Sequence, residues 1–174
     1  MKLTWQWAMP NKWTFQMKPI LAFVEKELFK HTSVLIPFGG MKRWPQHPGM
    51  TYIDIEEGRP KPYLLEDCRD VMQELTKQGK KYSLIISDPP FSMFQAVHSY
   101  GNTKMQDITY VRQLYDQLLL TGEIIIHCGF NSTGMGITRG YQKQELLVVN
   151  CGGSHNDFLI LKEKKMQSSL DNIV

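Results

Sequence analysis

The chain has 174 residues, of which 42% are hydrophobic and 21% charged, and its net charge of +3 is only slightly basic. These values are typical of a globular domain and exclude a low-complexity or wholly disordered chain. No apolar run is as long as a membrane span, no signal peptide is recognisable, and three widely separated cysteines predict neither a zinc site nor a disulfide framework. A cytoplasmic protein with no bound metal and no membrane partner is therefore predicted.

Hydrophobic periodicity predicts helices alternating with strands along most of the chain. In chain order the predicted elements are a helix at 18–30, strands at 32–36, 50–55 and 63–65, a helix at 67–78, a strand at 81–87, a helix at 108–120, and strands at 122–128, 144–151 and 157–162. The last two strands are separated only by a glycine-containing turn at 152–156, which favours an antiparallel hairpin.

This order predicts an α/β fold whose mostly parallel sheet has helices on both faces and ends in the antiparallel hairpin strand. We expect a single domain over residues 1–174. Residues 1–17 are predicted to form an N-terminal cover, and residues 166–174 a flexible tail.

Polar, glycine and aromatic residues follow the predicted strands at the points where those strands end. The strand at 81–87 leads into Asp88-Pro89-Pro90-Phe91, and the strand at 50–55 carries Asp54 near its end. Ligands of parallel α/β sheets bind at the carboxyl ends of the strands. Asp88 is therefore predicted to belong to a site rather than merely to end a strand, since the two prolines already do that.

The chemistry of Asp88-Pro89-Pro90-Phe91 suits an exocyclic amine of a nucleic-acid base. Such an amine is a poor nucleophile because its lone pair is delocalised into the ring. A carboxylate oxygen of Asp88 and the carbonyl of Pro89 can accept its two N–H bonds and favour the form that attacks a methyl group. Phe91 offers a face on which an extruded base can stack.

The order of the motifs resembles the adenosylmethionine-dependent amino-methyltransferases that act on nucleic-acid bases. The matching stretches are NKWTFQMKPI, SVLIPFGG, YIDIE, LLEDCRDVM and SDPPF, and the later strands resemble a subgroup found in archaea and their viruses. The resemblance covers roughly residues 11–164 and implies a Rossmann-like methyltransferase sheet and S-adenosylmethionine as the cofactor. It also implies the residues that hold this cofactor: Phe15, Pro37, Phe38, Gly39, Gly40, Asp54 and Asp67.

Two positions depart from the pattern of that family. Ile36 stands where the cofactor loop has an acid, and Lys42 where the loop has its second glycine. Several candidate residues also have a purely structural alternative: Asp67 as a helix N-cap, and Phe15 and Phe38 as core residues.

A nucleic acid is the predicted partner, with Lys42, Arg43, Asn131, Arg139, His155 and Asn156 as candidate contacts. The resemblance implies that an aspartate in the first position of the D-P-P-F tetrapeptide, here Asp88, favours adenine N6. We expect DNA as the substrate, while an RNA base (adenine N6 or guanine N2) and a catalytically silent binding protein stay open as alternatives. Because the chain has four tryptophans and no separate recognition domain, a homodimer that widens the nucleic-acid surface is also predicted.

Overall fold

The computed structural model describes residues 1–11, 13–38, 44–54, 64–90, 108–153 and 155–166. Their strands are β1 (Lys2–Trp7), β2 (Val34–Ile36), β3 (Met50–Asp54), β4 (Leu64–Leu65), β5 (Tyr82–Ser87), β6 (Leu119–Gly129), β7 (Tyr141–Asn150) and β8 (Phe158–Lys165). The helices are α1 (Lys18–Leu28), α2 (Cys68–Lys77) and α3 (Ile108–Leu118), with short 3-10 turns at Thr14–Gln16 and Ile137–Arg139. No helix within these ranges is long and apolar enough to span a membrane.

The strands form one sheet in the order β1-β7-β8-β6-β5-β2-β3-β4. Only β8 runs against its neighbours, β6 and β7, and every other pairing is parallel. The ends of β2, β3, β5, β6 and β7 therefore lie along the same edge of the sheet, which we call the carboxyl edge. The turn between β7 and β8 lies on this edge as well.

Alternation along the strands divides the core between the two faces of the sheet. On one face, α1 packs through Ile20, Phe23, Val24 and Leu28 onto strand residues such as Ile86. On the other face, α2 and α3 pack onto strand residues such as Leu35, Ile85 and Ile125. The observed layers confirm the predicted Rossmann-like α/β fold with helices on both faces and an antiparallel hairpin strand.

The N-terminal residues differ from the prediction. Within the predicted cover, Lys2–Trp7 form strand β1, which pairs parallel with β7 and ends the sheet. The alternation of polar and apolar residues at 2–7 was a usable strand signal, and the apolar side chains of this strand remain exposed. The predicted flexible tail lies, apart from Met166, outside the described residues.

Strand β7 begins three residues earlier and β8 ends three residues later than the predicted 144–151 and 157–162, and the added part of β8 contains buried charged residues. Glu163 and Lys165 are almost fully buried in β8. Glutamate and lysine are rarely buried without partners, so a buried strand is not predicted from such residues. The Lys165 ammonium contacts Asp116 Oδ1 at 3.1 Å and donates to the carbonyls of Asp116 and Leu119 at the end of α3. The hydroxyl of Tyr141 donates to the same Asp116 oxygen at 3.0 Å. Each charge therefore has partners that only the tertiary structure supplies.

Candidate active site

Asp88 follows β5 at the centre of the carboxyl edge, as the sequence predicted. Its neighbour Ser87 lies in register with His127 of β6, and β2 borders β5 on the other side. Asp88, Pro89 and Pro90 are half-buried. The Oδ1 atom of Asp88 is itself buried and has no hydrogen-bond partner among the described residues. A buried acceptor without a partner is costly, and such atoms are concentrated at functional sites.

Burial raises the pKa of Asp88 to about 7, and a hydrogen bond from the Thr14 side chain opposes only part of that effect. The Asp88 carboxyl group therefore holds its proton close to neutral pH when no donor faces it. An N–H donor placed at Oδ1 would favour the ionised form. Thr14, in the 3-10 turn before α1, is nearly buried and was not predicted as a site residue. Its position between Trp13 and Phe15 carries no sequence signal of this contact.

The opposite side of the β5 and β6 ends is also polar and buried. The Ser87 and Tyr115 hydroxyls are 2.7 Å apart, and the Tyr115 and His127 ring centroids are 6.1 Å apart. Burial, helped by the charge of Arg112, lowers the pKa of His127 to about 3. His127 Nε2 lies 3.5 Å from Glu163 Oε2. Because the imidazole is neutral at this low pKa, the contact is not an ion pair.

The predicted cofactor side lies at the ends of β2 and β3. Asp54 is the last residue of β3, half-buried, and its carbonyl accepts from the Glu66 N–H group at 3.1 Å. Pro37 is buried and Phe38 half-buried directly after β2. Gly39 and Gly40, the predicted cofactor loop, lie outside the described residues. Ile36, which replaces the acid of the family pattern, is fully buried in the core.

Asp67 and Phe15 have the structural roles that the sequence left open for them. Asp67 is the N-cap of α2, where its Oδ1 accepts from the backbone N–H of Arg69 at 3.0 Å. Its Oδ2 accepts from the Arg69 guanidinium at 2.7 Å. Phe15 is fully buried, with its ring centroid 4.9 Å from that of Trp44. A direct contact of either side chain with a cofactor stays a prediction.

Three of the predicted nucleic-acid contacts lie at or next to the carboxyl edge. Asn131 is exposed just after β6, where its side-chain oxygen accepts from the Thr133 N–H group. His155 and Asn156 are exposed in the turn between β7 and β8, and the His155 N–H group donates to the carbonyl of Gly152. Strand spacings of about 4.8 Å put this turn roughly 10–15 Å along the edge from Asp88. Lys42, Arg43 and the predicted stacking residue Phe91 lie outside the described residues.

Arg139, another of the predicted nucleic-acid contacts, lies away from the carboxyl edge. After β6 the chain crosses the sheet face, and Arg139 comes just before Gly140, whose carbonyl accepts from Met166 at the far end of β8. This crossing is held by Glu163, whose carboxylate accepts from the N–H groups of Met135 and Gly136. Gly134 has a φ of +58°, and a Cβ there would lie 2.1 Å from Glu163 Oε2, so the approach requires glycine. Arg139 thus starts at the edge opposite Asp88.

An aromatic pair at the carboxyl edge was missed. The rings of Phe130, directly after β6, and Phe158, the first residue of β8, have centroids 5.8 Å apart. Phe130 is 44% exposed. It follows β6, which lies next to β5, the strand that leads into Asp88. An exposed phenylalanine that follows the end of a strand on this edge was a usable signal, but Phe130 was not among the predicted site residues.

No set of three or more histidine, cysteine, aspartate or glutamate side chains that could bind a metal ion occurs in the described ranges. The site residues described above offer carboxylate and carbonyl acceptors, aromatic faces and the neutral imidazole of His127. Such a set can orient N–H donors and flat rings.

Comparison with known proteins gives structural matches only. No protein-family model matches the sequence, and no curated protein sequence matches it. The N-methyltransferase NodS of Bradyrhizobium japonicum, solved with S-adenosylhomocysteine, matches with a TM-score of 0.54 and 11% identity over 91% of this chain and 94% of NodS.

Two other solved structures are similar to the same degree. A SAM-dependent methyltransferase of Agrobacterium tumefaciens matches with a TM-score of 0.52 and 11% identity. A protein of Streptococcus mutans to which SAM-dependent methyltransferase activity is attributed matches with a TM-score of 0.54 and 13% identity. These matches cover 83% and 82% of this chain, which spans 60% of the first protein and 48% of the second. The chain therefore has the Rossmann-like fold found in SAM-dependent methyltransferases.

Proposed function

We propose that the chain transfers a methyl group from S-adenosylmethionine to an exocyclic amine of a nucleic-acid base, namely N6 of adenine in DNA. The observation that carries the proposal is the buried Oδ1 of Asp88, which follows β5, directly precedes two prolines and has no hydrogen-bond partner in the part of the chain that the structure describes. In a methyltransferase-like fold, this position combines an acceptor that lacks a donor with a rigid backbone carbonyl.

Asp88 and Pro89 act on the target amine. The Asp88 carboxylate accepts one N–H bond of the amine and the Pro89 carbonyl accepts the other, which turns the nitrogen lone pair out of conjugation. Proline at positions 89 and 90 leaves no backbone N–H group there that could compete with the amine for the Asp88 carboxylate. Once the nitrogen is alkylated its acidity rises, and the Asp88 carboxylate is placed to accept the released proton.

S-adenosylmethionine, when bound, supplies the electrophilic methyl group. The residues of this chain that would hold it are Asp54, which accepts from ribose hydroxyls, and Pro37-Phe38 with Gly39-Gly40 after β2. The fit rests on the unpartnered Asp88 oxygen and on the convergence of the β2, β3 and β5 ends. Because Ile36 is buried and apolar, the methionine ammonium must be received by another acceptor, such as Asp88 or a backbone carbonyl.

The target strand would lie along the carboxyl edge. The exposed ring of Phe130, next to the β5 end, offers a stacking face, and Phe91 is the second proposed stacking residue. Base stacking contributes roughly 1–3 kcal/mol per base. His155 and Asn156, farther along the edge, and Lys42-Arg43 are the proposed contacts to the phosphate backbone.

Transfer of tritium from labelled S-adenosylmethionine to DNA and to RNA tests the proposal. We expect label in DNA, released as N6-methyladenine on hydrolysis. Label in RNA alone, or in N2-methylguanine, would change the proposed substrate, while methyl transfer to a base amine would stand. Cofactor or nucleic-acid binding without any transfer would overturn the enzymatic proposal and favour the catalytically silent alternative, for which the loss of the loop acid at Ile36 is the motivating observation.

Asp54→Asn should weaken the binding of S-adenosylhomocysteine about 10- to 100-fold, because a hydrogen bond to a charged acceptor is worth roughly 1.5–3 kcal/mol. Calorimetry with both proteins measures this difference. Glu74→Gln, on the exposed surface of α2, is the control and should bind as the wild type does. Equal affinity of Asp54→Asn and wild type would remove Asp54 from the cofactor site.

A further inference from the structure

Strand β1 leaves one side of its backbone open at the end of the sheet. The Ala8 N–H group donates to the carbonyl of Asn150 on β7. Because N–H and C=O directions alternate along a strand, the backbone groups of Lys2, Thr4 and Gln6 also point toward β7. Those of Leu3, Trp5 and Trp7 point outward, and no strand of the described residues pairs with them.

The same three residues expose their side chains on one face of the sheet. Trp5 and Trp7 are each 63% exposed and Leu3 is 45% exposed. The six residues of β1 carry a single charge, that of Lys2, which Glu145 neutralises at 3.0 Å. Proteins normally protect an open edge with charges, prolines or bulges. None of these devices occurs at positions 3–7 of this edge.

We propose that a second copy of the chain pairs with this edge, β1 against β1 in antiparallel orientation, about a two-fold axis at Trp5. In this register Trp5 faces Trp5 of the second copy, and Leu3 faces its Trp7. All three positions have outward backbone groups, so each opposing pair can exchange two hydrogen bonds. The apolar side chains of both copies then share one face as cross-strand pairs.

A second copy suits this surface because the strand is complementary to itself. The register keeps the two Lys2 residues at opposite ends of the paired strands, about 20 Å apart at 3.3 Å per residue. The exposed parts of Leu3, Trp5 and Trp7 offer roughly 400 Å², about half of the 800 Å² that each partner buries in a standard interface. The exposed Met1 and Met9 flank the strand and extend the apolar area.

The pairing has a geometric consequence for the candidate active sites. Because the two β1 strands run in opposite directions, the carboxyl edges of the two copies face opposite ways. Each copy keeps its own Asp88 and its own edge, so the assembly does not build the shared nucleic-acid surface expected from the sequence. The inference is therefore independent of the proposed methyl transfer.

Sedimentation of the whole chain should give twice its 20.2 kDa mass, and Trp5→Lys should sediment as a monomer with an unchanged circular dichroism spectrum. Phe29→Lys, which alters an equally exposed residue at the end of α1, is the control and should remain dimeric. A wild-type monomer at working concentration would overturn the proposal. A dimer that survives Trp5→Lys would place the interface elsewhere and overturn it too.

A cysteine substitution tests the register itself. Trp5→Cys should form an intermolecular disulfide on mild oxidation, because directly opposed positions have Cα atoms about 5.5 Å apart. The native cysteines are all buried and should not react. Phe29→Cys should not cross-link, and failure of Trp5→Cys to cross-link in a dimeric sample would contradict this register. If the wild type is a monomer and Trp5→Lys no longer binds nucleic acid, the exposed face of β1 is a nucleic-acid surface and the pairing proposal is overturned.

Discussion

Replacing Asp88 with alanine is expected to lower methyl transfer about a hundredfold while leaving the fold intact. In the proposed mechanism, the variant loses the oxygen that accepts from the target amine as the new bond forms. Removal of one such acceptor costs on the order of 3 kcal/mol in the transition state. In the wild type, transfer should rise with pH through about 7 and level off about one pH unit above that value, because the pKa of Asp88 is about 7 and the ionised form is the better acceptor.

The same residue is expected to reduce stability at neutral pH. The folded-state pKa of Asp88 is raised from 3.8 to about 7, so the folded protein binds a proton that the unfolded chain has already released. The penalty is absent below about pH 4, grows between pH 4 and 7, and is complete above pH 7. Full ionisation corresponds to a cost of up to about 4 kcal/mol at 1.36 kcal/mol per pH unit. Asp88→Asn should therefore increase the free energy of unfolding more at pH 8 than at pH 5.

Urea denaturation at both pH values, together with label transfer, measures the two effects. Glu74→Gln is the control for both, since this carboxylate is largely exposed on α2 and should change neither transfer nor the pH dependence of stability. A gain in stability with a loss of transfer is typical of a functional residue held at a cost to the fold. If Asp88→Ala transfers methyl groups at a rate near that of the wild type, or fails to fold, the carboxylate is structural and the mechanism is wrong.

Lys165→Met is expected to destabilise the protein by about 3–5 kcal/mol. The ammonium group of Lys165 is buried against Asp116 Oδ1 and two carbonyls that end α3. Its removal leaves the buried Asp116 carboxylate without its positive partner. An uncompensated buried charge costs more free energy than the intact pair contributes to stability. For a chain of this length the melting temperature should fall by roughly 6–20 °C.

Thermal and urea unfolding of matched variants separates burial from charge. Lys77→Met removes an exposed ion pair with Glu74 on α2 and should change the free energy of unfolding by less than about 0.5 kcal/mol. The double variant Lys165→Met with Asp116→Leu should recover part of the loss, because it removes both charges together. Similar effects of Lys165→Met and Lys77→Met would show that the buried pair contributes little.

The sequence by itself determined the layers of the fold and the position of Asp88, at the centre of the candidate site, on the sheet edge. The apolar periodicity of α1, α2 and α3 and the apolar run that ends at Ser87 are local patterns, and local patterns predict helices and buried strands directly. Asp88 could be placed on the carboxyl edge because parallel strands with helical connections all end on the same side. Asp67 as an N-cap followed from its position before the helical pattern.

Only the tertiary structure decided what depends on contacts between distant segments. The alternation of polar and apolar residues at 2–7 is compatible with a strand, but only the structure shows that β7 supplies its backbone partners. The buried Glu163 and Lys165 are tolerated in β8 because residues at 135–136 and 116–119 satisfy them. Arg139 is removed from the site by the path that the chain takes across the sheet face.

The properties of Asp88 divide in the same way. Its type and its place after a strand are visible in the sequence, but its raised pKa is not, because that comes from burial by residues that the fold brings around it. Thr14, more than 70 residues earlier in the chain, is one of them. A pattern along the chain predicts which side chain reaches an edge of the sheet, whereas its charge state depends on solvent exclusion, which exists only once the distant segments have packed.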